Sequence, residues 1–183
     1  MTTDNNRPLA VVTGASSGIG LELAKLFAAA DFDLVIAAED DQLRAVGEGI
    51  RLSGASVDAV QVDLATPEGV EELAERVTRP VDALALREEL KDTGVTVTTL
   101  MPGPTDTEFF ERADMLDTKV GAGDKDDPAD VARDGFDAMM AGKERVVSHS
   151  LSTKVQGRGS RFLPDSVKAE MHRRQAEPGT ARK

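Results

Sequence analysis

Two periods of apolar residues alternate along the first half of the chain. Leu9-Ala10-Val11-Val12 is a continuous apolar run, after which Ile19, Leu23, Phe27 and Ala30 recur at helical spacing. Leu34-Val35-Ile36-Ala37-Ala38 is continuous again, as a strand buried on both faces of a parallel sheet would be. Leu43, Val46 and Ile50 carry a second helix that Gly54 stops, and Val57 to Val62 makes a third strand. Thr66 and Pro67 supply an N-cap and a first helical residue ahead of Val70, Leu73, Ala74 and Val77, which share one helix face. Strand and helix in strict alternation imply right-handed crossovers and a parallel sheet with helices on both sides.

The rhythm fails at Arg79-Pro80-Val81-Asp82-Ala83-Leu84. No turn separates this strand-like stretch from the helical Ala85-Leu86-Arg87-Glu88-Glu89-Leu90-Lys91. A strand cannot become a packed helix without a connection, so Asp82 is expected to cap a helix from about Ala83 to Asp92. Gly94 ends it, and Val95 to Met101 is a β-branched strand. Asp127-Pro128 caps a further helix with Val131, Gly135, Phe136 and Met139 on one face, and Glu144 to Ser148 reads as a short last strand. Asp165 to Gln175 forms a terminal amphipathic helix, with Met1 to Arg7 a polar leader and Pro178 to Lys183 disordered.

The expected fold is therefore α/β, a shortened Rossmann-like doubly wound parallel sheet with strands near 8–13, 33–38, 57–62, 95–101 and 144–148. Its order is 3-2-1 followed directly by the late strands, the helices at Pro67 and Ala85 making one crossover. Residues 1–163 form a single domain, and 164–183 a C-terminal helix and flexible tail.

Composition removes several functions. A formal charge of −11 argues against nucleic acid or an anionic membrane surface, since both need clustered Lys and Arg. With no cysteine there is no disulfide and no thiolate metal site, and no signal-like segment or long apolar run appears, so a soluble cytoplasmic protein is expected. Asp124-Lys125-Asp126-Asp127 lacks the glycine and distal glutamate of a calcium loop and reads as a loop with a helix cap. His149 and His172 are isolated, and Ser148, Ser150, Ser152 and Lys154 have no base or oxyanion hole beside them. No metal site is expected.

The chemistry concentrates in Thr13-Gly14-Ala15-Ser16-Ser17-Gly18-Ile19-Gly20, between the first strand and the first helix. Here Gly14 supplies backbone freedom, Gly18 lets a pyrophosphate approach, and Gly20 lets helix lie close on strand. Free amides at the helix start face the phosphates. This turn, Val62-Asp63-Leu64 after the third strand, and Met101-Pro102-Gly103-Pro104-Thr105-Asp106-Thr107 together resemble the short-chain dehydrogenase/reductase family, over Pro8 to about Ser148.

The resemblance implies an NAD(P)-dependent oxidoreductase that transfers hydride between a nicotinamide and an alcohol or carbonyl of unknown identity. It assigns Gly14, Ser16, Gly18, Ile19 and Gly20 to the pyrophosphate, Asp63 and Leu64 to the adenine, and Pro102, Gly103 and Thr105 to the nicotinamide side. Phe109, Phe110, Met115 and Leu116 fall where the family keeps a substrate lid, or else pack over a sheet edge. At the end of the second strand stands Ala37-Ala38-Glu39-Asp40, where an acid bonds ribose hydroxyls and a base receives a 2′-phosphate. Glu39 is such an acid, and no Lys or Arg occupies Ser16, Ser17, Ala38 or Glu39, so NAD is favoured over NADP.

The chain departs from the family pattern after Val81-Asp82-Ala83-Leu84. The family continues with Asn-Asn-Ala-Gly, a long helix, a strand bearing a serine and a helix bearing Tyr-x-x-x-Lys. Residue 85 onward resembles the far end of that last helix, and the chain contains no tyrosine at all. None of the family's catalytic residues carries over. Three readings follow: an oxidoreductase with unusual residues, a dinucleotide-binding or interaction module without catalysis, and a deletion product without activity. The helices of the family's usual dimer face are largely absent, so association through that face is not expected.

Overall fold

The computed structural model describes residues 7–77, 98–148, 170 and 173–181. The first half runs β1 (Leu9–Thr13), α1 (Gly18–Ala29), β2 (Asp33–Ala38), α2 (Gln42–Arg51), β3 (Val57–Gln61) and α3 (Pro67–Arg76). The second runs β4 (Thr99–Met101), α4 (Phe109–Arg112), α5 (Lys119–Ala122), α6 (Pro128–Met140) and β5 (Arg145–Val147). The alternation read from the sequence is the alternation observed. Helices expected over 83–92, and any strand at 81–84, lie outside the described residues.

β2 lies between β1 and β3, parallel to both, with Leu9 opposite Asp33 and Leu34 opposite Val57. All of its residues are buried, which its unbroken apolar run required. Successive side chains point to opposite faces. Ala10, Val12, Leu34, Ile36 and Ala38 pack with Ala24 and Phe27 of α1 and Leu43 and Ile50 of α2. Leu9, Val35, Ala37, Val60 and Val62 form the opposite layer, with Leu73 and Val77 against it. Because β3 is an edge strand, the apolar face of α3 is only partly covered: Val70 is 52% exposed. Gly69 fixes the start of α3, since a Cβ there would strike the Asp63 carbonyl.

The late strands differ from expectation. Among the described residues they do not continue the first sheet but form their own parallel pair, Thr99 opposite Arg145 and Met101 opposite Val147. α6 spans the two sheets. It lies beside α1 through Phe27 and Phe136, whose ring centroids are 5.2 Å apart, and rests on β4 where Gly135 meets Leu100.

At the C-terminal end, residues 173–176 are helical, within the stretch expected to be so. Arg173 and Arg174 hydrogen-bond the Glu170 carboxylate at 2.9 and 2.8 Å and hold its pKa down to about 2. Residues 177–181, in the segment read as a flexible tail, make a turn against the second half. The N–H groups of Gly179 and Ala181 donate to the Asp117 side chain and carbonyl, and Lys119 N–H donates to Thr180 Oγ1. His149, Ser150, Ser152, Lys154 and His172 lie outside the described residues.

Candidate functional site

The segments singled out in the sequence meet at the carboxyl ends of β1, β2, β3 and β4, which is where open α/β sheets place their ligands. Gly14 (φ 62°) and Gly18 (φ 56°) take left-handed backbone angles that a side chain disfavours. Gly20 packs so closely on the turn that a Cβ there would lie inside contact distance of the Gly14 carbonyl. The turn is thus drawn down onto the start of α1. Ser17, the N-cap residue of α1, makes no side-chain cap bond, so it satisfies none of the first-turn amides of Gly18, Ile19 and Gly20. Gly14 is exposed, and a Cβ there would meet nothing within 4 Å.

Ser16 is buried, and its hydroxyl donates to Asp40 Oδ2 at 2.6 Å. That bond ties the turn to the end of β2 beside Glu39. After β3, Asp63 Oδ1 accepts from Ala65 N–H at 2.9 Å, while Leu64 packs against the lower core layer. After β4, the Gly103 N–H donates to Ser148 Oγ at 3.3 Å and the Thr105 hydroxyl donates back to the Gly103 carbonyl at 3.0 Å. Thr105 also bridges to Asp126, which precedes the cap of α6. The loop then crosses the start of α1, because a Cβ on Gly18 would lie 2.8 Å from Thr107 Cγ2. The glycine turn and the Pro-Gly loop, far apart in sequence, lie against each other.

Two residues of this region carry more than the sequence reading gave them. Ser148 is fully buried and positions Gly103, a use invisible from its place in a serine-rich stretch. Arg112 on α4 reaches the end of β2: its Nη1 lies 3.5 Å from Glu39 Oε1 and its Nη2 3.7 Å from Asp40 Oδ2. Of the apolar positions after the Pro-Gly motif, Phe110 on α4 is buried, with the Lys125 ammonium 5.3 Å from its ring centroid. Phe109 and Leu116 are 62% and 57% exposed.

The fold is that of a Rossmann-type α/β protein, with the candidate site at the carboxyl ends of its strands. Residues 8–86 match the family model for short chain dehydrogenase. The match ends just past Leu84, where the sequence departs from the family pattern. 1-Deoxy-11-beta-hydroxypentalenate dehydrogenase of Streptomyces exfoliatus is 49% identical over 67 residues, 36% of this chain and 24% of that protein. Uncharacterized oxidoreductase YmfI of Bacillus subtilis is 31% identical over 80 residues, 42% of this chain and 33% of that protein. The chain thus spans about a quarter to a third of the length of these curated relatives. Among solved structures, a short-chain dehydrogenase from Sphingobium yanoikuyae in complex with NADPH superposes over 90% of this chain and 95% of its own, with a TM-score of 0.65 at 17% identity. A short chain dehydrogenase/reductase family protein does so over 76% and 94%, with a TM-score of 0.58 at 20% identity. At such identities these likenesses speak for the fold.

Proposed function

We propose that this chain is a nicotinamide-dinucleotide-binding member of the short-chain oxidoreductases that keeps the cofactor site without the family's tyrosine chemistry. The observation that carries the reading is the close glycine turn: a Cβ on Gly20 would strike the Gly14 backbone, Gly18 holds a left-handed φ of 56°, and the mouth at Gly14 is open. Such a turn leaves backbone N–H groups at a helix start free to receive a pyrophosphate. In this reading Gly14, Ser16, Gly18, Ile19 and Gly20 hold the pyrophosphate end, and Glu39 accepts from the adenosine ribose. Asp63 and Leu64 border the adenine, while Pro102, Gly103 and Thr105 line the nicotinamide side. The Ser148 contact keeps the Gly103 loop in place. Glu39 and Asp40 together suit the ribose of NAD.

A bound nicotinamide would supply hydride transfer, but the matching proton must come from a group beside the reacting oxygen. The family's phenol is absent, because the sequence has no tyrosine. Turnover of alcohols or carbonyls by the family's route is therefore not proposed. The same reading keeps the protein cytoplasmic, in line with its lack of cysteine, and among the described residues no helix is long and apolar enough to cross a membrane. It keeps nucleic acid off the partner list, given the net charge of −11. It also gives the family's dimer face no part in assembly.

Titration with NADH and NADPH, following nicotinamide fluorescence, tests the proposal, and the absence of Trp and Tyr leaves little protein background. Saturable binding that Gly18→Val abolishes is the expected result. Absence of saturation with both dinucleotides would overturn it.

A further inference from the structure

We infer that Arg112 decides whether this chain accepts a 2′-phosphate, and hence NADP as well as NAD. The inference rests on the dinucleotide reading above. From the sequence alone the end of β2 holds acids and no base, which suits ribose hydroxyls and repels phosphate. The fold changes that inventory by delivering a guanidinium from α4, 73 residues away from Glu39. Arg112 is close to one carboxylate, Glu108 of its own turn, at 2.9 Å. Its approaches to Glu39 and Asp40 are longer, at 3.5 and 3.7 Å. A guanidinium carries five N–H donors in a planar fork, so donors remain for a phosphate.

Charge arithmetic makes Arg112 decisive. Three carboxylates face it, Glu39, Asp40 and Glu108, so the corner is net negative even with the arginine present. A phosphate monoester brings roughly another −1.5 to −2. Without Arg112 the phosphate would face the carboxylates of Glu39, Asp40 and Glu108. With Arg112 it gains a forked, charge-assisted partner, and Glu39, whose side chain is 63% exposed, has room to turn toward water. A ribose 2′-hydroxyl makes no such demand, because Glu39 and Asp40 accept its proton whether or not the arginine is there.

The test is a pair of titrations, NADH and NADPH, on the full chain and on Arg112→Gln and Arg112→Lys, with circular dichroism to confirm folding. The arginine side chain is half exposed, so both variants should fold. Arg112→Gln is expected to weaken NADPH by about tenfold or more, the scale of one charge-assisted hydrogen bond, while NADH changes by less than about threefold. Arg112→Lys should recover part of the loss, since it restores the charge but not the fork. The salt dependence of NADPH binding should fall with the arginine. Equal weakening of both dinucleotides, unchanged NADPH affinity, or an unaltered chain that binds NADH alone would overturn the assignment to Arg112. Failure of the unaltered chain to bind either one would overturn the dinucleotide reading, and this assignment with it.

Discussion

An added Cβ at Gly20 would press on the Gly14 carbonyl and reach the Thr13 carbonyl, both backbone atoms with no rotamer to yield. Gly49, on α2, is exposed and would meet nothing within 4 Å. The two glycines therefore have opposite reasons to exist. Gly20→Ala is expected to lower stability by about 1–3 kcal/mol, the usual cost of overpacking, and to abolish dinucleotide binding. Gly49→Ala is expected to raise stability by about 0.5–1 kcal/mol through helix propensity alone. Denaturant unfolding of both variants checks the pair. At this scale the sequence revealed what was local: a turn of eight residues announces its glycines by spacing. It could not reveal Ser148 beneath Gly103 or Arg112 against Glu39, separated by 45 and 73 residues, because such contacts exist only once the strands are laid side by side.

Helix ends were legible for a related reason, since a cap is a bond between near neighbours in sequence. Thr66 accepts from Gly69 N–H at 3.1 Å and Asp127 from Ala129 N–H at 2.7 Å, each with proline at the next position. Helix faces were legible only as patterns, not as burial. The stripe of α3 is periodic, yet Val70 remains 52% exposed because β3 is the sheet edge and offers half a surface. Two substitutions separate signal from consequence. Asp127→Ala should cost about 1 kcal/mol by leaving a first-turn amide of α6 without its acceptor. Val70→Lys should stay within about 0.5 kcal/mol, as an exposed site away from any cap. Thermal unfolding distinguishes them, and a large loss at Val70 would mean that its face is covered in solution. The short helices α4 and α5 gave no periodic signal, since four residues hold barely one turn.

Among the described residues, helices join the two sheets. Among the described residues, β1–β3 and β4–β5 share no ladder, whereas α6 bridges them by lying along α1 and over β4. Phe27 is the hinge of this seam, packed edge-on against Phe32 at 5.1 Å and Phe136 at 5.2 Å. Its energy is unevenly shared. The first sheet has its own core on both faces, with Leu34, Ile36 and Leu43 almost wholly buried, while the second has two strands of three residues and depends on α6 for cover. Sequence periodicity could not foresee this division, because it gives strands but not their neighbours. Phe136→Ala should therefore act regionally, removing a partly buried ring and loosening α6 at a cost below the roughly 3–5 kcal/mol of a fully buried phenylalanine. Amide hydrogen exchange in 99–101 and 145–147 is expected to accelerate well beyond that in 33–38, where opening still requires loss of the first core. A uniform acceleration across both sheets would instead mean that they unfold as one unit. Since the candidate site draws residues from both halves, the same variant should weaken the proposed dinucleotide binding even where β1, β2 and β3 keep their protection.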